Sequence, residues 1–207
     1  MRASHERTDE ELLRLARGGD ESAFAALYRR RQASLFRFAL QMSGSESVAE
    51  DVVQEVFLSL LAPSHGFDAS RGSLASYLYG AARNQVLRRL EKERGYVALG
   101  DETEDARARG DERLRAPHDP LAEFVRGERA ETVRQAVLAL PVHYREVVVL
   151  CELQELSYAE AAAALGCAVG TVRSRLHRAR SLLCERLREF DEGEEPAGEF
   201  DAARCFA

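Results

Sequence analysis

Apolar residues recur along most of the chain at intervals of three and four positions, and no segment shows the strict alternation of a β-strand. In one segment the pairs Val52/Val53, Val56/Phe57 and Leu60/Leu61 repeat every four residues. This spacing places the apolar side chains on one face of an α-helix. The chain is therefore predicted to be all-α.

Residues that cap helix ends mark where the helices begin. Thr8 and Ser47 each precede a glutamate by three positions, which is the spacing of a capping box. Asp20 is predicted to cap the second helix, and Ser73 is predicted to cap a long basic helix over 74–94. These signals divide the first part of the chain into separate helices.

The apolar pattern fails after residue 94. Over 101–123, eight acidic residues face four arginines, and two prolines lie among them. A segment with so few apolar residues cannot bury a core, so we interpret it as a flexible acidic linker. We therefore predict two small helical domains at 9–94 and 125–188, joined by a linker at 95–124.

The formal net charge of −6 over 207 residues argues at first against a nucleic-acid ligand. The C-terminal tail, residues 189–207, carries −6 by itself, so the rest of the chain is neutral. Within that rest, six arginines oppose one glutamate over 169–188, and five basic residues oppose two glutamates over 77–94. Two such basic segments are typical of surfaces that bind nucleic acid.

Four interpretations of the acidic tail remain open. The tail either competes with DNA phosphates for the adjoining arginines or only aids solubility. The apolar side chains of Phe200 and Phe206 could instead dock in a groove of a partner protein. The thiol of Cys205 could respond to oxidation.

Residues 157–183 have the pattern of a helix-turn-helix. Ser157 precedes Glu160 at capping-box spacing, and Gly166 suits the left-handed end of a short alanine-rich helix. A second helix begins near Gly170 and turns four residues inward: Val172, Leu176, Ala179 and Leu183. Its outer face carries Arg173, Ser174, His177 and Arg178. We interpret it as a DNA-reading helix, and the alternative is a surface helix whose arginines are only solvated.

Three motifs resemble conserved regions of the extracytoplasmic-function (ECF) sigma factors. The fourth region of the family resembles Ser157-Tyr158 and Leu165-Gly166-Cys167 together with the run VGTVRSRLHRAR at 169–180. The runs AEDVVQEVF at 49–57 and YLYGAARN at 77–84 resemble its second region. The resemblance implies a promoter-recognition subunit of RNA polymerase with a region 2-like domain, a linker and a region 4-like domain.

The resemblance also implies a partner for each candidate site. It assigns docking on core RNA polymerase to Asp51, Gln54 and Glu55, although the residues alone fit a solvated helix face equally well. It assigns opening of the promoter −10 element to the 62–73 loop and the following helix, through Arg83, Asn84, Arg88 and Arg89. It assigns −35 DNA binding to Thr171, Arg173, Ser174, Arg175, His177 and Arg178.

A few residues of these motifs depart from the family pattern or have two possible roles. Tyr77 and Tyr79 could stack on unpaired bases, but we expect them in the core because their helix must also pack. Gly80 stands where the family has a larger residue, and it weakens its helix by about 1 kcal/mol relative to Ala. Ala161 and Ala164 also replace larger residues, which predicts a thinner core around the helix-turn-helix.

Other chemistries find little support in the sequence. The four cysteines, Cys151, Cys167, Cys184 and Cys205, form no C-x-x-C pair, so neither a zinc site nor a disulfide is expected. No cofactor is predicted, and no phosphate loop or catalytic triad pattern indicates an enzyme. No apolar run is long enough for membrane insertion, and the N-terminus lacks a secretory signal, so a cytoplasmic location is expected.

The predicted partners are core RNA polymerase, promoter DNA and an anti-sigma factor that holds the two domains in a compact arrangement. The alternative is a sigma mimic that sequesters an anti-sigma factor without reading promoters. The presence of Arg83, Asn84 and the Arg173-Ser174-Arg175 run favours a promoter-reading protein.

Overall fold

A computed structural model of the chain describes residues 7–62, 67–69, 72–97 and 120–192. The described ranges are helical and contain no β-strand, which confirms the all-α class. The helices are α1 (Asp9–Arg17), α2 (Glu21–Ser43), α3 (Glu46–Leu61), α4 (Leu74–Val97), α5 (Pro120–Leu138), α6 (Val142–Val148), α7 (Tyr158–Leu165) and α8 (Val169–Glu192). The 98–119 part of the predicted linker, residues 63–66 and 70–71 of the 62–73 loop, and the 193–207 part of the tail lie outside the described residues.

Helices α1 to α4 form the first bundle. Helix α2 is its centre, because α1, α3 and α4 all pack against it. The fully buried side chains include Leu27, Leu35, Phe38 and Met42 of α2, Val52 and Leu60 of α3, and Leu74 and Leu78 of α4. Helix α1 is fixed to α2 by Asp9, a buried carboxylate that accepts hydrogen bonds from Arg30 and Arg31.

Side-chain caps set most helix starts as the sequence predicts. Thr8 and Ser157 form complete capping boxes, and Asp20 and Ser73 accept hydrogen bonds from the first-turn amides of their helices. The prediction of Ser47 as the cap of α3 is wrong.

The cap of α3 is Ser45, whose Oγ accepts from the Val48 amide at 3.4 Å. Gly44 ends α2 in the left-handed conformation, with φ 74°, so the chain turns at once and leaves Ser45 extended. Helix α3 therefore starts at Glu46, two residues before the predicted start at Val48.

Helices α5 to α8 form the second bundle. Pro141 separates α5 from α6, and α6 continues into a π-helical turn at Val149–Leu153. Gly166 ends α7 with φ 63° and ψ 36°, and α8 follows after a short turn. This is the predicted helix-turn-helix.

The two bundles pack against each other and share one continuous apolar core. Helix α4 lies on α7, and the C-terminal part of α2 contacts α5, α6 and the π-helical turn. The sequence predicts two domains and a linker, and it gives no sign of this direct contact. The flanking helices also extend into the predicted linker at 95–124, because α4 reaches Val97 and α5 begins at Pro120.

The capping box of α7 gives a first prediction. Ser157→Ala should lower the free energy of unfolding by about 1 kcal/mol, because the helix loses the acceptor for its first-turn amide. The Ser157 hydroxyl and amide lower the pKa of Glu160. The stabilisation by this box is therefore present above the unfolded pKa of Glu160 and is lost as the pH falls through its folded pKa.

Thermal unfolding at pH 7 and on acidification measures both effects. Ser181→Ala is the matched control, since the Ser181 hydroxyl bonds only to the His177 carbonyl within α8. Equal melting temperatures for the Ser157→Ala variant and the unaltered chain would contradict the capping role.

Candidate nucleic-acid interface

Helix α8 has one buried and one exposed face, as its period predicts. The four inward residues, Val172, Leu176, Ala179 and Leu183, are buried. The four outward residues, Arg173, Ser174, His177 and Arg178, are exposed. The buried face packs on α6 and α7, so the exposed face is presented on a fixed support.

A groove of about 280 Å³ lies beside the exposed face of α8. It is lined by His143, Tyr144, Thr171, Ser174, Arg175 and Arg178. Thr171 and Arg175 are half-buried here, so they line the groove and do not stand out from the helix. Guanidinium and hydroxyl donors around one concavity suit a DNA phosphate.

His143 and Tyr144 are the residues of this groove that sequence reasoning missed. Their rings lie 4.1 Å apart at the start of α6. The only local signal is a pair of polar aromatic residues after the helix-breaking Pro141. Their position beside α8 depends on the packing of α6 against it, which the local pattern does not specify.

Arg173 and Arg180 of α8 contact neighbouring elements. The Arg173 guanidinium lies 5.9 Å from the centre of the Tyr158 ring, at the first turn of α7. Arg180 bonds to Glu152 in the π-helical turn, and this carboxylate raises the pKa of Arg180. Arg180 therefore fixes α8 to its support, whereas Arg173 stays at the exposed surface.

Helix α4 carries the predicted −10 residues in different environments. Asn84 and Arg88 are exposed. The Arg83 Nε donates to Glu146 Oε1 of α6 at 2.6 Å, and only 2% of the Glu146 side chain is exposed. The Arg83 Nη1 also donates to the Asn84 amide oxygen at 3.3 Å. One predicted DNA-binding arginine is thus held by the second domain.

Arg89 joins two groups of residues that were predicted to bind different partners. Its guanidinium lies 2.8 Å from Glu55 Oε1 and 3.7 Å from Asp51 Oδ2. Asp51 and Glu55 are largely exposed, and such pairs contribute only about 0 to 1 kcal/mol. A charged partner can therefore displace either side of this pair.

Gln54 lies on the side of α3 toward α2. It lines an open apolar groove of about 610 Å³ between α2 and α3. The apolar side chains of the groove include Phe24, Tyr28, Phe36, Phe57 and Leu58. Leu58 is 62% exposed, which is unusual for a large apolar residue. The predicted acidic edge of α3 therefore consists of two neighbouring rows of residues. Gln54 and Leu58 border the apolar groove, and Asp51 and Glu55 form the charged row.

The remaining candidate groups are structural in the described part of the chain. Tyr79 is buried against Phe38, as expected, and Tyr77 packs on Phe67. Burial raises the pKa of the Cys151 thiol to about 11. Among the described residues there is no cluster of metal-ligating side chains, and none of their helices is long and apolar enough to cross a membrane. Cys205 lies outside the described residues.

Comparison with known proteins gives matches to both bundles. A family model described as Sigma-70 region 2 matches residues 27–96, and one described as Sigma-70, region 4 matches residues 130–183. The ECF RNA polymerase sigma factor SigW of Bacillus subtilis is 33% identical over 178 residues, which cover 83% of this chain and 92% of that protein. The ECF RNA polymerase sigma factor SigM of Mycobacterium tuberculosis is 35% identical over 183 residues, covering 88% and 86%.

A solved structure also resembles the chain across both bundles. It is that of the sigma factor RpoE in complex with the anti-sigma factor NepR from Bartonella quintana, with a TM-score of 0.64 and 26% sequence identity. The match covers 80% of this chain and 96% of that one.

The exposed face of α8 gives a second prediction. Arg173→Ala and Arg178→Ala should weaken binding to duplex promoter DNA, by about 1 to 3 kcal/mol where a bidentate base contact is lost and by less for a phosphate contact. Loss of a phosphate contact also makes the slope of log K against log salt concentration shallower by about 1. Fluorescence anisotropy at several salt concentrations separates the two cases.

Arg134→Ala on α5 is the matched control, because Arg134 is exposed and bonds within its own helix to Glu131. Unchanged affinity for both α8 variants would exclude α8 as the recognition helix.

Proposed function

The chain belongs to the ECF family of RNA polymerase sigma factors, and from this premise we propose how its surfaces divide promoter recognition. As an alternative sigma factor it directs core RNA polymerase to promoters, under the control of an anti-sigma factor. We place this activity in the cytoplasm, assign it no catalytic step of its own, and propose 9–94 and 125–188 as its functional domains.

The second domain binds the −35 element. The observation that carries this assignment is the position of α8, whose inward residues are all buried while Arg173, Ser174 and Arg178 face solvent. A helix supported in this way enters a major groove without rearrangement of its domain. Thr171, Arg175 and His177 complete the surface, and the groove beside them receives the DNA backbone.

The first domain binds core polymerase through α3. Asp51 and Glu55 present carboxylates to a basic partner surface, and Gln54 adjoins the apolar groove that contains Leu58. A partner helix that carries both apolar and basic residues would satisfy both rows. This combination gives affinity from apolar burial and orientation from charge.

The same domain opens the −10 element through α4. Asn84 and Arg88 are exposed for contact with the displaced strand. Arg83 and Arg89 join them when DNA displaces the carboxylates that they now bind. Single-stranded DNA needs cations along its backbone, and the three arginines of α4 supply them.

In vitro transcription tests the proposed function. Core RNA polymerase is reconstituted with the chain on templates whose −35 and −10 elements are randomised, and the transcripts are sequenced. A sigma factor enriches two sequence motifs at a fixed spacing. Transcription no greater than that of core polymerase alone, with retained binding to an anti-sigma factor, would instead support the sigma mimic.

Charge reversal on α3 gives a third prediction. Asp51→Lys/Glu55→Lys should abolish binding to core polymerase, because two attractive contacts become repulsive. Binding of the full chain to a −35 duplex should persist, since that surface lies on the other domain. Glu21→Lys/Glu91→Lys is the matched control, because both residues are exposed and the double reversal changes the total charge by the same amount. Core binding by the double variant at the unaltered affinity would contradict the role of this edge.

A further inference from the structure

Helix α1 contacts both ends of the loop that joins α3 to α4. The Arg17 guanidinium donates twice to the Leu60 carbonyl oxygen in the last turn of α3, from Nη2 at 2.9 Å and from Nε at 3.3 Å. The Glu10 carboxylate accepts from the amide of Leu74, the first residue of α4, at 3.4 Å. One short helix thus holds the point where the chain leaves α3 and the point where it enters α4.

These two contacts satisfy backbone groups that have no partner within their own helices. The last carbonyls and the first amides of an α-helix lie beyond its internal hydrogen bonds. Helix α3 has no basic residue in its last turn, and α4 has no acidic residue in its first turn. Arg17 therefore supplies the cation that favours the negative end of α3, and Glu10 supplies the anion that favours the positive end of α4.

The spacing of Glu10 and Arg17 allows one helix to make both contacts. They are seven positions apart, which is two helical turns, so they lie on one side of α1 and about 10.5 Å apart along its axis. Helix α1 is itself held on the bundle by the buried residues Asp9, Leu12 and Leu13. A fixed helix with two anchoring side chains sets the separation of the two ends that it binds.

The entry into α4 is also held from within its own segment. Phe67 packs on the core, and its ring lies 5.7 Å from the Tyr77 ring in an edge-to-face arrangement. Ser73 Oγ accepts from the Ser76 amide at 3.2 Å and caps the helix. The bond to Glu10 adds a tie from a separate helix, so the start of α4 is fixed relative to the rest of the bundle.

We propose that Arg17 and Glu10 are positioning residues for the opening of the −10 element. They act through the ends of α3 and α4, and they set the position of α4 relative to the edge of α3 that docks on core polymerase. The displaced strand reaches Asn84 and Arg88 only if these helices are correctly placed while α3 is bound. The inference rests on the proposed functions of α3 and α4.

Promoter opening by the reconstituted polymerase tests this role. The promoter is one enriched in the transcription experiment, and a base analogue in its −10 element reports opening because it fluoresces when it is unstacked. Arg17→Ala and Glu10→Ala should each slow opening by about threefold to tenfold, the range expected for the loss of one or two hydrogen bonds. Arg14→Ala is the matched control, because Arg14 is an exposed arginine of the same helix.

Conservative variants separate positioning from a general loss of stability. Glu10→Gln keeps a carbonyl oxygen that can accept from the Leu74 amide. Arg17→Lys keeps a cationic donor for the Leu60 carbonyl. Both variants should retain most of the opening rate. Affinity for core polymerase and for a −35 duplex should be unchanged in every variant, because the exposed edge of α3 and the surface of α8 keep their side chains.

Hydrogen exchange gives a local readout at the start of α4. Peptides that contain residues 72–80 should exchange faster in Glu10→Ala than in the unaltered chain, because the Leu74 amide loses its acceptor. Peptides from the centre of α2 should exchange at the unaltered rate in the same variant.

Three results would count against the proposal, each in a different way. Opening at the unaltered rate by both alanine variants would contradict the positioning role and leave the proposed function intact. Slower opening with an equal loss of affinity for core polymerase would show general damage to the first domain in place of positioning. No opening by the unaltered chain would contradict the −10 function of α4, and the positioning role with it.

Discussion

The close approach of α4 to α7 at Gly80 determines how the whole chain is arranged. A Cβ atom at Gly80 would lie 3.0 Å from the Ala164 carbonyl oxygen, a tight contact, so the two helices lie at backbone distance. This contact brings Arg83 within 2.6 Å of Glu146 and Tyr79 within 3.3 Å of Gln154. It also closes the gap between the two bundles, whose buried side chains form one core. The two domains, which the sequence predicts as separate units, thereby form a single packed body.

The same arrangement gives the basic residues of α4 two sets of acidic partners. Arg83 is bound by Glu146 of the second domain, and Arg89 is bound by Asp51 and Glu55 of α3. The recognition surface of α8 is different, because Arg173 and Arg178 remain exposed. The surface proposed for −35 binding is thus exposed, while two of the arginines proposed for −10 binding are paired with carboxylates.

Local sequence signals are sufficient to predict most helices and the helix-turn-helix, because capping residues and the spacing of apolar residues determine structure within a few positions. Thr8, Asp20 and Ser157 cap helices as predicted. The capping-box spacing of Ser47 and Glu50 predicts the wrong start for α3, because the left-handed turn at Gly44 places Ser45 at the cap. Arg83 and Glu146 are 63 positions apart, so their pairing depends on tertiary packing. The departures at Gly80 and Ala164 were visible in the sequence, but their complementarity was not, since it exists only where α4 crosses α7.

The most direct test of this account is the distance between the two domains, measured by electron–electron double resonance. Spin labels are placed at Lys92 of α4 and Ala159 of α7, both exposed, after replacement of the four native cysteines. The account predicts one short, narrow distance distribution for the free chain, because the two bundles share one packed core. A broad or long distribution would contradict this packing.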